Sequence, residues 1–255
     1  LSANDITAEA AVLIDSETGD ILFEKDSSKK LGMASTTKIM TGILAIENCR
    51  LDDIVTVSRH ASYTEGSSIY TKEGEKISVE TLIYGLLLKS GNDAAAALAE
   101  HMAGSEEAFA DMMNEEAQAI GATNSHFVNP HGLNAENHYV TAYDMYLIFN
   151  EALKYDTVNE IISMTSYDTV YTDKNGNEKT LSVKNTNQYL AGNVAAPDRV
   201  TVIGGKTGTT SAAGNCLILL ARDTSGNPYI AVILKSAERG ILYTEMNALL
   251  KQATS

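Results

Sequence analysis

Strand-like segments stand at both ends of this 255-residue chain, and helix-like segments fill its middle. Two apolar-rich runs, residues 10–14 and 21–24, flank a turn-rich connector and predict a β-hairpin. The last third reads again as strands, at residues 167–171, 180–183, 200–203, 216–222 and 229–235. The order favours an α+β fold, in which the two ends of the chain form one antiparallel sheet and a mostly helical insertion lies beside it.

The predicted helices complete this organisation. Apolar residues after Lys38 recur with helical spacing on a wide face, so the helix that begins near Ser35 should be largely buried. Further helices are predicted from residue 78, at residues 93–101, 105–120 and 141–153, and at the closing segment 240–252. We expect a single domain over residues 1–255, with a sheet part at about 1–50 and 156–255 and a helical part at about 51–155.

Charge and hydropathy exclude two classes of function. The chain carries 19 Lys and Arg against 33 Asp and Glu, a formal net charge of -14, and it has no basic run. Nucleic-acid-binding proteins normally present a basic patch, so nucleic acid is not expected as a partner. No apolar run approaches the roughly 18 residues that a membrane-spanning helix needs.

The spacing of cysteines and histidines indicates neither a metal site nor a disulfide. Cys49 and Cys216 form no C-x-x-C motif, and nothing in the sequence supports a disulfide between them. The five histidines include no H-E-x-x-H and no pair at helical i,i+4 spacing. A metallopeptidase is therefore disfavoured, and no metal site is expected.

Ser35 and Lys38 stand three residues apart at the start of the first predicted helix. That spacing places both side chains on one face, with their Cβ atoms about 5–6 Å apart. A serine hydroxyl becomes an effective nucleophile when a neighbouring base takes its proton, and a lysine can do so when burial depresses its pKa. The pair therefore predicts a nucleophile and its base, although S-x-x-K alone is a common pattern.

A second short motif, Ser90-Gly-Asn92, lies in a break between two predicted helices. Ser90 could relay a proton, and Asn92 could hydrogen-bond a substrate amide through both its donor and its acceptor. The same residues also suit an ordinary helix C-cap followed by an N-cap.

A third motif, Lys206-Thr-Gly208, follows a strand-like run. Lys206 and Thr207 could hold a substrate carboxylate. Gly208 would let the backbone of a ligand approach closely. An ordinary polar strand end would read in the same way.

The three motifs gain their meaning together. They occur in the order S-x-x-K, S-x-N and K-T-G, separated by 55 and 116 residues, and such a set marks the class A β-lactamases and penicillin-binding proteins. The chain resembles the low-molecular-mass penicillin-binding proteins, the serine D-alanyl-D-alanine carboxypeptidases, from about Ala10 to Ser236. The S-G-N form of the second motif is characteristic of this branch. The resemblance extends to Phe127-Val-Asn-Pro-His-Gly-Leu133, Asn185-Thr-Asn187 and Ala213-Gly-Asn-Cys-Leu217.

This resemblance implies a fold of the β-lactamase and transpeptidase type and a peptidase that trims peptidoglycan stem peptides ending in D-Ala-D-Ala. The implied catalytic residues are Ser35, Lys38 and Ser90, and the implied substrate-binding residues are Asn92, Lys206, Thr207, Gly208 and Thr209. The backbone N–H groups of Ser35 and Thr209 would stabilise the oxyanion. β-Lactam antibiotics would acylate Ser35 as covalent inhibitors, and no cofactor is implied.

The resemblance also implies an extracytoplasmic protein, secreted or anchored at the outer face of the bacterial cell membrane. The family often carries a β-rich C-terminal domain and a membrane-anchoring helix, so contact with a membrane is expected only through a segment outside this chain. Two positions depart from the family pattern: Met33 stands where proline is frequent, and Thr209 stands where an aromatic residue is frequent. Neither change removes a reacting group.

Three other functions on the same core are left open. A D,D-endopeptidase would use the same residues as a carboxypeptidase. A class A β-lactamase needs a glutamate that activates the deacylating water, usually within E-x-x-L-N, and no such pentapeptide occurs between Asn92 and Lys206. A non-enzymatic β-lactam sensor would keep the same reactive groups. The sequence therefore favours the peptidase.

Overall fold

Strands from both ends of the chain meet in one antiparallel sheet in the computed structural model, which describes residues 1–254. Its strands are β1 (Ala10–Asp15), β2 (Ile21–Lys25), β7 (Thr201–Thr210), β8 (Gly214–Arg222) and β9 (Pro228–Ser236). They lie in the order β2-β1-β9-β8-β7, so the N-terminal hairpin pairs with the last strand of the chain. The strand that carries Lys206, β7, lies at one edge.

The remaining strands form a second sheet. They are β3 (Ile54–Thr56), β4 (Lys76–Ser78), β5 (Ser166–Thr172) and β6 (Glu178–Lys184), in the order β3-β4-β5-β6. The prediction that all terminal strands share one sheet is therefore wrong, because the β5–β6 hairpin pairs with β4 through Lys76 and Thr172. Alternating hydrophobicity identifies a strand and its buried face, but it does not identify the strand's partner.

In residues 1–254, seven α-helices lie between β2 and β5 and an eighth follows β9. The predicted α+β class is confirmed. The helices are α1 (Lys38–Asn48), α2 (Arg59–Ser62), α3 (Val79–Leu88), α4 (Asn92–Ala103), α5 (Glu106–Ala119), α6 (Ala142–Ala152), α7 (Asp156–Ile162) and α8 (Arg239–Leu250). The side chains of Ser78, Ser105 and Thr141 accept hydrogen bonds from backbone N–H groups three residues on, and so start three of these helices. Among the described residues, no helix is long and apolar enough to cross a membrane.

Both faces of the five-stranded sheet are covered, which explains why its central strands are apolar throughout. Successive side chains of a strand point to opposite faces. One face, which includes Val12, Ile218 and Val232, packs in the core that α1 and α6 share. The other face, which includes Leu13 and Leu219, packs against α8. The sheet is therefore a rigid layer between helices.

The first helix, α1, is buried along most of its length, because residues 38–45 are all inaccessible to solvent. It packs against α3, α4 and α6. Ser35 precedes it in a short 3-10 turn, Ala34–Thr37, so the α-helix begins three residues later than the sequence predicts. The turn and the helix together place Ser35 and Lys38 at one end of a largely buried helix.

Asp93, at the start of α4, fixes the loop that precedes β4. Its two carboxylate oxygens accept hydrogen bonds from the backbone N–H groups of Ile69, Thr71 and Ala94 and from the hydroxyl of Thr71, at 2.7–3.1 Å. The carboxylate is fully buried. A negative charge is favourable at a helix N-terminus, so the position suits Asp93. Its hydrogen bonds to Ile69 and Thr71 hold this loop against α4.

Replacing Asp93 by alanine should therefore destabilise the protein. The change leaves the N–H groups of Ile69 and Thr71 buried without acceptors, and each such group costs about 1–3 kcal/mol. We expect the free energy of unfolding to fall by about 3 kcal/mol, as measured by urea denaturation followed by circular dichroism. Asp111→Ala, at an exposed position of α5, is the control and should change this free energy by less than about 0.5 kcal/mol. Equal unfolding midpoints for the two variants would contradict the anchoring role of Asp93.

Candidate active site

Ser35 lies in a tight turn that two glycines allow to be closely packed. A Cβ atom at Gly132 would lie 1.9 Å from the carbonyl oxygen of Ala34, and one at Gly208 would lie 2.6 Å from the backbone nitrogen of Ser35. Ala34 itself has a φ of 49°, which is unusual for a residue other than glycine. Because Gly208 belongs to β7, the edge strand of the main sheet runs directly beside Ser35.

Lys38 contacts Ser35 from the buried side. Its Nζ lies 2.7 Å from Oγ of Ser35, 2.7 Å from Oδ1 of Asn92 and 2.8 Å from the carbonyl oxygen of His131. The lysine is 0% exposed. Burial, reinforced by the positive charge of Lys206, lowers the pKa of Lys38 well below its ordinary value, and the carboxylate of Asp93 opposes part of that shift.

These three contacts suit a neutral amine as well as an ammonium. A neutral amine has two N–H bonds and one lone pair. Asn92 Oδ1 and the His131 carbonyl can only accept, so they take the two N–H bonds and leave the lone pair for the hydroxyl of Ser35. In that state Ser35 donates its proton to Lys38, which is the arrangement that general-base activation of a serine requires.

Lys206 and Ser90 form a second pair beside the first. Nζ of Lys206 donates to Oγ of Ser90 at 3.1 Å and to the carbonyl oxygen of Thr207 at 2.7 Å. Lys206 is 1% exposed, and burial lowers its pKa to about 7. Ser90 has a φ of 64°, a left-handed conformation of the kind that concentrates at functional positions. The contact between Lys206 and Ser90 is short enough for direct proton transfer between them.

Asn92 has a structural role that its sequence position did not reveal. Its Oδ1 accepts from Lys38, and its Nδ2 donates to the carbonyl oxygen of Glu65 at 2.8 Å. The side chain is buried. The predicted contact of Asn92 with a substrate amide stays a prediction, and it would need the second N–H bond of Nδ2.

A cleft of about 400 Å³ opens over Ser35 and Ser90. Thr207, Gly208 and Thr209 of β7 form part of its wall, whereas Lys206 lies behind Ser90 and is not among the lining residues of the described chain. The hydroxyls of Thr186 and Thr207 lie 2.7 Å apart at this wall. The structure thus brings all eight residues predicted for the site together, in two layers: cleft wall and buried support.

Three participants were given no role in the site by the sequence analysis, although His131 and Thr186 lie in segments that carry the family resemblance. The carbonyl of His131 anchors Lys38, Thr186 pairs with Thr207, and Arg239 brings a guanidinium to the cleft. A backbone carbonyl leaves no mark in a sequence. Arg239 gives only a weak sequence signal. It occupies the first position of α8, where a positive charge interacts unfavourably with the helix dipole.

Comparisons with known proteins agree with this geometry. A family model described as D-alanyl-D-alanine carboxypeptidase matches residues 1–238. The D-alanyl-D-alanine carboxypeptidase DacF of Bacillus subtilis is 38% identical over 250 residues, which cover 94% of this chain and 61% of DacF. DacC of Escherichia coli is 35% identical over 98% of this chain and 62% of its own length. The chain spans about three-fifths of the length of these two relatives.

Solved structures give the same fold. The crystal structure of the Streptomyces K15 DD-transpeptidase superposes with a TM-score of 0.90 at 28% identity, covering 98% of this chain and 97% of that one. The carboxypeptidase DacD of Francisella tularensis has a TM-score of 0.85 at 31% identity, covering 98% and 71%. The predicted transpeptidase-type fold is therefore confirmed, and the chain belongs to the D-alanyl-D-alanine carboxypeptidase family of serine peptidases.

Proposed function

We propose that this chain is a serine D-alanyl-D-alanine carboxypeptidase that acts on peptidoglycan stem peptides. The observation that carries the proposal is the contact of Lys38 Nζ with Ser35 Oγ at 2.7 Å, in a buried setting that favours the neutral amine. Burial of a lysine is unfavourable in itself, and a role as the base for Ser35 accounts for it. The family of the chain supports the choice of substrate.

Acylation begins when the Ser35 hydroxyl gives its proton to Lys38 Nζ. Oγ then forms a bond to the carbonyl carbon of the penultimate D-Ala, and the carbonyl electrons move to its oxygen. The backbone N–H groups of Ser35 and Thr209 stabilise this oxyanion. When the C–N bond breaks, the leaving D-Ala nitrogen takes a proton from Ser90, which Lys206 replenishes. Water then attacks the acyl carbonyl carbon and gives a proton through Ser90 back to Lys206. The bond to Oγ breaks, Lys38 returns its proton to Ser35, and the shortened peptide leaves.

The substrate lies along β7 as an added strand. This strand is at the edge of its sheet and lines the cleft, so its free backbone groups can pair with an extended peptide. Gly208, where a Cβ atom would clash with the backbone of Ser35, keeps β7 close to the nucleophile. The scissile carbonyl therefore reaches Ser35 while the rest of the peptide follows the strand.

The terminal carboxylate of the substrate binds at the far wall of the cleft. Arg239 offers a planar guanidinium there, and the hydroxyls of Thr186 and Thr207 offer donors. Lys206, which the sequence analysis assigned to the carboxylate, adds a positive charge from behind Ser90. In this arrangement Lys206 serves the proton relay and Arg239 serves recognition.

The surroundings of the reaction follow from the substrate. Peptidoglycan lies outside the cytoplasmic membrane, so we place the protein in an extracytoplasmic location, secreted or held at the membrane by a segment outside this chain. β-Lactam antibiotics resemble the D-Ala-D-Ala terminus, so they should inhibit this peptidase by acylating Ser35. A D,D-endopeptidase would act on the same bond type in cross-linked peptides, and the masses of the products distinguish it from a carboxypeptidase.

Ser35→Ala should abolish both D-Ala release and covalent labelling by a fluorescent penicillin, since it removes the only atom that can be acylated. Mass spectrometry of products from a D-Ala-D-Ala tripeptide and a cross-linked muropeptide reports the reaction in the wild type. Ser67→Ala, which changes another serine of the cleft wall, is the control and should retain labelling. Persistent labelling of Ser35→Ala would refute the nucleophile, and cleavage of the muropeptide alone would favour the endopeptidase.

Arg239→Ala should reduce the preference for a free carboxylate. Loss of a hydrogen bond to a charged group costs about 1.5–3 kcal/mol, so kcat/KM for a D-Ala-D-Ala peptide should fall roughly 10- to 150-fold. The same peptide with a C-terminal amide should be affected far less. Arg222→Ala, at an exposed arginine whose guanidinium contacts Gly226, is the matched control with unchanged kinetics. An equal loss on both substrates would rule out the carboxylate role.

A β-lactam adduct on Ser35 should outlast many turnovers of the peptide. The leaving group of a β-lactam stays tethered and blocks the approach of water, and the lining of the cleft within residues 1–254 contains no Asp or Glu that could activate a deacylating water. Intact-mass spectrometry after removal of excess penicillin should show the adduct, while D-Ala release is timed in parallel. Loss of the adduct within a few catalytic cycles would identify a β-lactamase instead.

A further inference from the structure

Three side chains of metal-ligand type converge at the end of α1 that lies away from Ser35. Cys49 directly follows α1, His101 lies in the last turn of α4, and Asp53 lies in the loop before β3. The cysteine sulfur, a carboxylate oxygen and an imidazole nitrogen all lie within 4.8 Å of one another. No sequence spacing could reveal the group, because three separate elements supply it.

We propose that Cys49, Asp53 and His101 bind a zinc ion, with a water molecule as the fourth ligand. Thiolate, imidazole and carboxylate are the three ligand types that zinc takes from proteins, at about 2.0–2.3 Å. A tetrahedral ion with such bonds has its ligand atoms about 3.3–3.8 Å apart. The observed limit of 4.8 Å is about 1 Å wider than these separations, so the side chains would have to close on the ion.

The backbone around the site is already fixed. The N–H of Cys49 donates to the carbonyl of Ala45 at 3.1 Å, and the N–H of Asp53 donates to the carbonyl of Arg50 at 3.1 Å. The N–H of Arg50 donates in turn to Oδ2 of Asp53 at 2.9 Å. Outer contacts of this kind orient a ligating carboxylate. They leave Oδ1 of Asp53 without a hydrogen bond in the described part of the chain.

Charge at the site also favours a cation. A thiolate and a carboxylate together neutralise a divalent ion, and both Cys49 and His101 stand at helix C-termini, which carry partial negative charge. Within residues 1–254, neither the Cys49 thiol nor the His101 ring has a hydrogen-bond or ion-pair partner. The two groups are therefore free to ligate.

The same trio could instead suggest a cysteine nucleophile with a histidine base. Burial and the negative charge of Asp53 raise the pKa of the Cys49 thiol, which disfavours a free thiolate. The surroundings of Cys49 therefore disfavour a nucleophile.

A metal at this position would join α1 to α4 a second time. At their other ends the two helices are already joined by Lys38 Nζ and Asn92 Oδ1, 2.7 Å apart. The ion would fix the far ends of the same two helices through Cys49 and His101. Its role would be structural, and it does not depend on the proposed peptidase activity.

The test uses the full chain after dialysis against a chelator. Isothermal titration with zinc chloride should show one site per chain, and cobalt(II) should give a thiolate-to-metal charge-transfer band with intense visible bands of a tetrahedral ion. Cys49→Ser and His101→Asn should each weaken zinc binding about 100-fold or more, beyond the ~10–100-fold effect of an outer-shell change. His126→Asn, at a half-buried histidine outside this cluster, is the control and should bind as the wild type does.

Thermal unfolding provides a second measurement. Zinc should raise the unfolding temperature of the wild type and of His126→Asn, and leave His101→Asn unchanged. His101 is exposed, so its replacement tests the site even if Cys49→Ser fails to fold. The proposal is overturned if the wild type does not bind zinc, if His101→Asn binds it as tightly as the wild type, or if cobalt binds without a thiolate band.

Discussion

The burial of Lys38 is the constraint on which the rest of this molecule depends. A lysine removed from water needs oxygen atoms around its nitrogen, and here they come from three separate places: the turn at Ser35, the start of α4 at Asn92, and the carbonyl of His131. The turn, the helix and the loop must therefore meet at one point. The packing of α1 against α3, α4 and α6 and the tether of Asp93 hold them there.

The burial of the two lysines lowers the free energy of unfolding by an amount that depends on pH. Burial lowers the pKa of Lys206 from 10.5 to about 7, and that of Lys38 falls as well. Between pH 7 and 10.5, the folded and unfolded pKa values of Lys206, the unfolded chain binds more protons than the folded one. Stability therefore rises with pH in this range. For Lys206 the penalty is fully present below about pH 7 and disappears as the pH approaches the unfolded pKa of 10.5. The apolar cores on both faces of the sheet must offset it at neutral pH.

The sequence predicted what local chemistry determines. Helix starts at Ser78, Ser105 and Thr141 were visible because a capping side chain acts within three residues. The sheet partner of the β5–β6 hairpin was not, since pairing is decided by packing between distant segments.

The candidate site also has features that a local sequence pattern reveals and features that only the fold brings together. The three motifs identified its residues, whereas the anchoring carbonyl of His131, the approach of Arg239 and the convergence of Cys49 with His101 exist only in three dimensions. The edge position of β7 in its sheet also has a consequence for substrate selectivity. Backbone pairing is the same for every extended peptide, so an edge strand attracts partners without reading their side chains. Affinity would then reside in β7, and selectivity in α8 and in the turn around Ser35. Because different elements carry the two properties, each can evolve without the other.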